Sequence, residues 1–117
     1  MVDSFVPLLA RIDDRLIHGQ VVVGCCEPLG AASIVLVDDQ VADDSLQQKL
    51  YRAAAPPSVD VRFVAIGGAR QLVKELASAG QLERALVVVA RARTMDRLRE
   101  AGVDFRQVQL GGAHARD

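Results

Sequence analysis

Short runs of β-forming residues alternate with helical patterns along this chain, and that alternation limits the fold more than any other feature. Five runs rich in Val, Leu and Ile have the length of β-strands and are bounded by Gly, Pro or charged residues. Strands that alternate with helices predict a mainly parallel sheet with helices on both faces. The predicted strands are Phe5–Ile12, Ser33–Asp39, Val59–Ile66, Arg84–Ala90 and Phe105–Leu110.

The expected architecture is a three-layer, doubly wound α/β fold. By analogy with known doubly wound sheets, the five strands are expected in the order 3-2-1-4-5. The run Arg84–Ala90 is predicted to be the most buried strand, and the shorter, more polar run Phe105–Leu110 to lie near an edge. The chain has 117 residues, half of them hydrophobic, so residues 1–117 are expected to form a single domain.

Helices are predicted from the spacing of apolar residues between these strands. Leu46 and Leu50 begin an apolar stripe that continues to Ala53 and Ala54, with Asp43 or Asp44 as the expected N-cap. The segment Gln20–Leu29 has strand propensity, but we interpret it as a helix because parallel strands need a crossover connection. The expected helix boundaries further along the chain are Pro56–Pro57, Gly80, Thr94 and Gly102.

Charge and composition exclude several functional classes. The net charge is −1, so nothing in the charge balance favours nucleic acid or an anionic membrane as the main partner. No apolar run approaches the roughly 20 residues that span a bilayer, and no signal-peptide pattern is present. The adjacent Cys25 and Cys26 provide neither a disulfide framework nor a metal-binding spacing, and the two histidines have no zinc-ligand spacing. We therefore expect a cytoplasmic protein without metal or cofactor.

The stretch "RIDDRLIHGQ" (Arg11–Gln20) concentrates charge between two apolar segments. A neutral imidazole is nucleophilic near pH 7, so His18 is a candidate acceptor for a phosphoryl group. Two arginines and free backbone N–H groups at a helix start are suited to the phosphoryl oxygens, and an aspartate is suited to orienting the imidazole. The candidate residues beside His18 are Arg11, Asp13, Asp14, Arg15, Gly19 and Gln20.

Simpler interpretations exist for these and other residues. An Asp-Asp pair after a strand is common in turns, and a loop histidine is often only solvated. Gly67–Gly68 is either an anion-binding turn at the same edge of the sheet or an ordinary loop. Asp38–Asp39 is expected to end a strand, although two acids there are also compatible with a metal. His114 and Arg116, near position 117, are expected to be mobile, and a function near the phosphate is the alternative.

The segment "RIDDRLIHGQVVV" resembles the phosphorylation-site motif of the enzyme IIB component of the mannose/sorbose-family sugar phosphotransferase system. Three later segments resemble the same family in the same order: "IVLVDDQVADD", "AAAPPSVDV" and "GGAHAR". The resemblance runs over essentially the whole chain. Because the family usually continues beyond the position that corresponds to Asp117, we expect this sequence to be either a compact member of the family or a piece of a longer chain.

The resemblance implies a phosphohistidine carrier. His18 would accept a phosphoryl group from a phosphorylated IIA domain and pass it to a sugar bound by the membrane components IIC and IID. Arg11, Asp13, Arg15, Gly19 and Gln20 would shape its loop, and the carrier would be peripheral to the inner face of the membrane. The alternatives are a regulatory phosphoacceptor of the same lineage and an α/β module that binds an anion or nucleotide non-covalently.

Overall fold

Five β-strands pair in parallel into one sheet, in a computed structural model that describes residues 7, 9–12, 30–105 and 107–110. The α/β class with a parallel five-stranded sheet is thereby confirmed. The strands are β1 (Leu9–Ile12), β2 (Ser33–Val37), β3 (Asp60–Val64), β4 (Ala85–Val89) and β5 (Val108–Leu110). The helices are α1 (Asp39–Ala42), α2 (Ser45–Ala54), α3 (Ile66–Ser78) and α4 (Ala92–Glu100), with a 3₁₀ turn at Leu82–Arg84.

The strand order is β3-β2-β4-β1-β5, which differs from the expected 3-2-1-4-5 by an exchange of β1 and β4. All five residues of β4 are buried, whereas the last two residues of β1 are only half-buried. The strand with more apolar surface therefore takes the position between β2 and β1. β5 is the edge strand beside β1, as its polar sequence predicted.

Within the described part of the chain, each face of the sheet is covered by a pair of helices. Because side chains alternate along a strand, Val35 and Val87 face α3 and α4, while Ile34 and Leu86 face α1 and α2. On the first face Leu72, Val73 and Leu76 of α3 pack with Met95 and Leu98 of α4. On the second face Val41 of α1 is buried against β2 and β4. The sheet thus has a core on both faces.

Helix termini largely follow the sequence signals. Asp44 caps α2, and its carboxylate accepts hydrogen bonds from the backbone N–H groups of Leu46 and Gln47. Gly80 closes α3 and Gly102 closes α4, both with positive φ angles of 73° and 97°. Both predicted closing glycines are confirmed.

Some local predictions were wrong. The predicted strands Val59–Ile66 and Phe105–Leu110 are shorter in the structure, Asp60–Val64 and Val108–Leu110, and Ile66 begins α3. Thr94 is not the N-cap of α4. The N-cap is Arg91, whose backbone is extended, and the helix begins at Ala92. β2 stops at Val37 instead of Asp39, since Asp38 leaves the strand to cap α1, a short helix that the sequence did not predict. The predicted helix over Gln20–Leu29 lies outside the described residues.

Candidate functional site

β1 leads the chain into the charged stretch at the carboxyl edge of the sheet. Ile12, the last residue of β1, pairs with Val89 of β4 and with Leu110 of β5. From β1 the chain crosses to β2, toward the edge of the sheet formed by β3. From β4 it crosses to β5, which forms the opposite edge. The switch point of the doubly wound sheet therefore lies between these two neighbouring strands, where such sheets bind ligands.

Arg11 is the one predicted site residue among those that the structure describes. It is half-buried, and its Nη1 donates a hydrogen bond to Oε1 of Gln109 over 2.8 Å. Gln109 is also its register partner in β5. This bond ties the side chains of β1 and β5 together and orients the guanidinium one residue before the carboxyl edge.

The other predicted site residues lie outside the described part of the chain. Their positions relative to one another therefore remain predictions. They are Asp13, Asp14, Arg15, His18, Gly19 and Gln20, together with the weaker candidates Cys25, Cys26, His114 and Arg116.

A cavity of about 410 Å³ opens at the same carboxyl edge, beside the ends of β2 and β4. Its lining is mostly polar and combines carboxylates, amides, a phenol, a hydroxyl and a guanidinium. Such a lining is suited to a polar group and not to an apolar ligand. The lining residues are Asp38, Asp39, Gln40, Val41, Gln47, Tyr51, Ile66, Ala90, Arg91 and Thr94.

The two aspartates after β2 build the wall of this cavity. Oδ1 of Asp38 accepts hydrogen bonds from the N–H groups of Gln40 at 2.9 Å and Val41 at 3.0 Å. Oδ1 of Asp39 accepts one from the N–H of Ile66 at 2.8 Å, which joins the end of β2 to the start of α3. The two acids follow the last strand residue, Val37, and are not part of the strand. Their carboxylates anchor the start of α1 and the start of α3.

Tyr51 brings an ionisable phenol to the cavity from α2. Burial raises the pKa of the Tyr51 hydroxyl above its ordinary value of 10.0, and the negative charge of Asp38 adds to the increase. The phenol is therefore neutral near pH 7 and available as a hydrogen-bond donor. Its ring packs at 6.5 Å from the ring of Phe63 in β3.

Arg91 and Thr94 are cavity residues that the sequence patterns did not single out as functional. Arg91 follows β4 by two residues and immediately precedes α4, so it lies where the backbone N–H groups of that helix begin. The sequence did contain a signal for Arg91, because this basic residue directly follows the predicted strand Arg84–Ala90. Charged residues after a strand were also the reason for considering the stretch that begins with Arg11. Thr94 was assigned a capping role instead.

Gly67–Gly68 forms neither a separate anion-binding turn nor an ordinary loop. Both residues belong to the first turn of α3, which starts at Ile66 directly after β3. A Cβ at Gly68 would lie 3.1 Å from Cγ2 of Val64, so the glycine permits close packing of the helix on the strand.

Within the described residues, no group of three or more His, Cys, Asp or Glu is placed to hold a metal ion. In that same part of the chain, no helix has the length and hydropathy needed to cross a membrane.

Comparison with known proteins gives one consistent family. A family model described as "PTS system sorbose subfamily IIB component" matches residues 7–117. The N-acetylgalactosamine-specific phosphotransferase enzyme IIB component 1 of Escherichia coli (strain K12) is 35% identical over 108 residues, which is 92% of this chain and 66% of that protein. The PTS system mannose-specific EIIAB component of the same strain is 36% identical over 110 residues, which is 94% of this chain and 33% of that protein.

A solved structure shows the same fold. The IIBSor domain of the sorbose permease from Klebsiella pneumoniae is 30% identical and superposes with a TM-score of 0.80, covering 92% of this chain and 64% of that one. This chain thus spans about two thirds of the length of the separate IIB proteins that it matches.

Proposed function

This chain belongs to the sorbose subfamily of IIB components of the phosphotransferase system, and from that premise we propose that it is a phosphohistidine carrier. His18 accepts a phosphoryl group from a phosphorylated IIA partner. It then passes the group to a sugar held by the membrane components IIC and IID. The activity is protein-histidine phosphotransfer, and it requires no cofactor.

The observation that supports this proposal best is the position of the charged stretch. It follows β1 directly, and β1 ends beside β4 at the switch point of the sheet. His18 is the sixth residue after Ile12, which limits the distance between their Cα atoms to about 20 Å. We therefore expect His18 to lie near the carboxyl edge of the sheet, where a partner protein would have access to it.

The chemistry is a double displacement at phosphorus. In the first step, a ring nitrogen of His18 forms a bond to phosphorus as the bond to the histidine of the IIA partner breaks. In the second step, a sugar hydroxyl oxygen forms the new bond to phosphorus, the bond to His18 breaks, and the hydroxyl proton is released. Such transfers depend mainly on positioning and on charge stabilisation at the equatorial oxygens.

The residues around His18 would supply those two functions. Arg15 offers a forked guanidinium to the phosphoryl oxygens, and Asp13 or Asp14 holds the second ring nitrogen in one tautomer. Gly19 and Gln20 allow the backbone N–H groups to approach the phosphoryl group. Arg11, whose guanidinium contacts Gln109, would fix the base of the loop at the end of β1.

The partners proposed here follow from the family. One relative is named as a mannose-specific EIIAB component, so its name combines the A and B functions. For this chain we infer a IIA domain that is phosphorylated on histidine as donor, and IIC and IID components as the site of sugar binding. A location on the inner face of the membrane would result from those contacts.

Intact-mass analysis tests the assignment of His18. The protein is incubated with phosphoenolpyruvate, the general relay proteins and a cognate IIA domain. The expected result is a gain of one phosphoryl group that is retained in His114→Ala and lost in His18→Ala, with circular dichroism unchanged in both variants. Continued labelling of a folded His18→Ala variant would place the acceptor elsewhere.

A further inference from the structure

A second cavity, of about 250 Å³, lies at the opposite, amino-terminal edge of the sheet. Ser33 and Asp60 are the first residues of β2 and β3 and are register partners, and Arg84 immediately precedes β4. The cavity is therefore built where three parallel strands begin, away from the edge where β1 ends. Its lining residues are Ala32, Ser33, Asp60, Arg62, Gly80, Gln81 and Arg84.

Two guanidinium groups line this cavity and are each held through Nε. Nε of Arg62 is bound to Oδ2 of Asp60 at 2.9 Å, and Nε of Arg84 donates to the carbonyl oxygen of Gly30 at 3.2 Å. Among the described residues, no hydrogen bond or ion pair engages the Nη groups of either arginine. Each side chain is thus oriented by its Nε contact, which leaves its Nη pair to donate to a ligand.

A buried hydroxyl in the same lining lacks a partner. Ser33 is 5% exposed, and within the described part of the chain its Oγ has no hydrogen-bond partner. Buried polar atoms are nearly always hydrogen-bonded, and an exception often marks a place for a ligand or water. Ser33 and the two arginines line the same cavity, so a ligand bound there would lie close to this hydroxyl.

We propose that this cavity binds a small phosphate-bearing molecule. The two arginines outweigh the single carboxylate of Asp60, which leaves a formal charge of +1 in the lining and favours an anion. Paired Nη groups match the oxygens of a phosphate bidentately, which a lysine cannot do. The volume lies below the 300–1,000 Å³ of typical ligand pockets, so the ligand is a phosphate or a short phosphate ester.

This site is independent of phosphoryl transfer at His18. Its residues stand at the beginning of the strands, whereas the proposed transfer takes place beyond their carboxyl ends. A ligand there would be held by ion pairs and hydrogen bonds without covalent chemistry. Failure of either proposal therefore leaves the other standing.

Binding is tested with inorganic phosphate and with a hexose 6-phosphate as probes on the whole chain. Isothermal titration or amide chemical shifts are followed at constant ionic strength, with chloride and the unphosphorylated hexose as blanks. We expect saturable binding of a phosphate-bearing probe at millimolar concentration or below. If the hexose 6-phosphate binds more tightly than inorganic phosphate, the sugar part contributes to the affinity. If the two bind equally, the phosphate alone is recognised.

Variants locate the bound phosphate. Arg62→Ala and Arg84→Ala should each weaken binding about tenfold, and Arg84→Lys should recover only part of the loss. The matched control is Arg93→Ala, an exposed arginine of α4 at the opposite edge that does not line the cavity. If Arg93→Ala weakens binding while Arg84→Ala does not, the phosphate binds at the other edge and the proposal is wrong.

Ser33→Ala separates a ligand contact from a structural defect. Removal of an unbonded buried hydroxyl should leave the unfolding midpoint unchanged or raise it in the absence of phosphate. In the presence of the probe, the same variant should bind at least a few-fold more weakly than the parent chain. Unchanged binding in Ser33→Ala together with unchanged binding in Arg84→Ala would overturn the proposal, as would the absence of saturable binding by either probe.

Discussion

Single carboxylates determine how the chain turns at the ends of its strands and helices. Asp38 caps α1, Asp39 anchors the first turn of α3, and Asp44 caps α2. Each contact satisfies a backbone N–H group that the helix cannot satisfy internally. The acids after β2 therefore have a structural explanation, whereas those after β1 are the ones assigned to the chemistry of His18.

The Asp44 cap should make stability depend on pH. Hydrogen bonds from the side chain and backbone of Gln47 lower the pKa of Asp44 below its ordinary value of 3.8. The cap therefore stabilises the fold above that value, and the contribution is lost as pH falls through the lower, folded-state pKa. In urea titrations, Asp44→Asn should lose less stability than the parent chain between pH 7 and acidic pH. Parallel losses would show that the carboxylate charge at Asp44 does not matter.

Arg15 carries the sharpest prediction for phosphoryl transfer. If its guanidinium stabilises the moving phosphoryl group, Arg15→Ala should cost about 2–4 kcal/mol of transition-state stabilisation, or roughly thirty- to a thousand-fold in rate. Arg15→Lys should recover only part, because an ammonium cannot form the forked contact. Quench-flow transfer from phosphorylated IIA at saturating and limiting concentrations measures this. A change confined to the half-saturation point would make Arg15 a docking residue.

At the scale of elements, α2 is the exception to the usual amphipathic rule. The apolar stripe that predicted this helix faces solvent, with Leu46 66% and Leu50 63% exposed, and α2 has no buried residue. Tyr51 and its contact with Phe63 provide the packing on the sheet side. The helix is held by its Asp44 cap and by Tyr51 more than by burial of leucine.

Substitution of an α2 leucine should therefore have little effect on stability. Leu50→Gln is expected to change the free energy of unfolding by no more than about 0.5 kcal/mol, as for other exposed positions. Tyr51→Ala is the contrasting variant on the same helix and should be clearly destabilising. Guanidinium denaturation compares the two. A large loss in Leu50→Gln would mean that the leucine is covered in solution.

At the scale of the whole molecule, one sheet separates two apolar clusters. Ile34 belongs to the cluster beneath α1 and α2, and Leu76 to the cluster beneath α3 and α4. Both are fully buried, and the strands that separate them, β2 and β4, are buried on both faces. Among the residues that the structure describes, the buried apolar side chains divide into these two separate clusters.

The two clusters should contribute additively to stability. Ile34→Val is expected to cost about 0.5–1.5 kcal/mol and Leu76→Ala about 2–5 kcal/mol. Because these residues lie on opposite faces, the double variant should equal the sum within about 0.5 kcal/mol. Denaturation of all three variants gives the comparison, and a single transition is expected in each. Non-additivity well above that margin would show that the faces are coupled through the sheet.

Much of the fold and the family were determined by the sequence itself. Several features could be predicted because they depend on local backbone preferences. They are the strand and helix periodicities, the helix end before Pro56–Pro57, the Asp44 cap and the closing glycines Gly80 and Gly102. The edge position of β5 followed from its short polar sequence. The ordered motifs that begin with Arg11–Gln20 also indicated the family from residue types and spacing alone.

Tertiary structure alone decided how those elements combine. The order of β1 and β4 in the sheet depends on which of the two strands is buried on both faces. The exposure of the leucines of α2 depends on which elements that helix packs against. Arg91 lines a cavity only because β4 lies between β2 and β1. The cavity lined by Ser33, Arg62 and Arg84 joins residues of β2, of β3 and of the turn before β4. Such juxtapositions arise from long-range packing, in which residues distant in sequence become neighbours, so no local pattern encodes them.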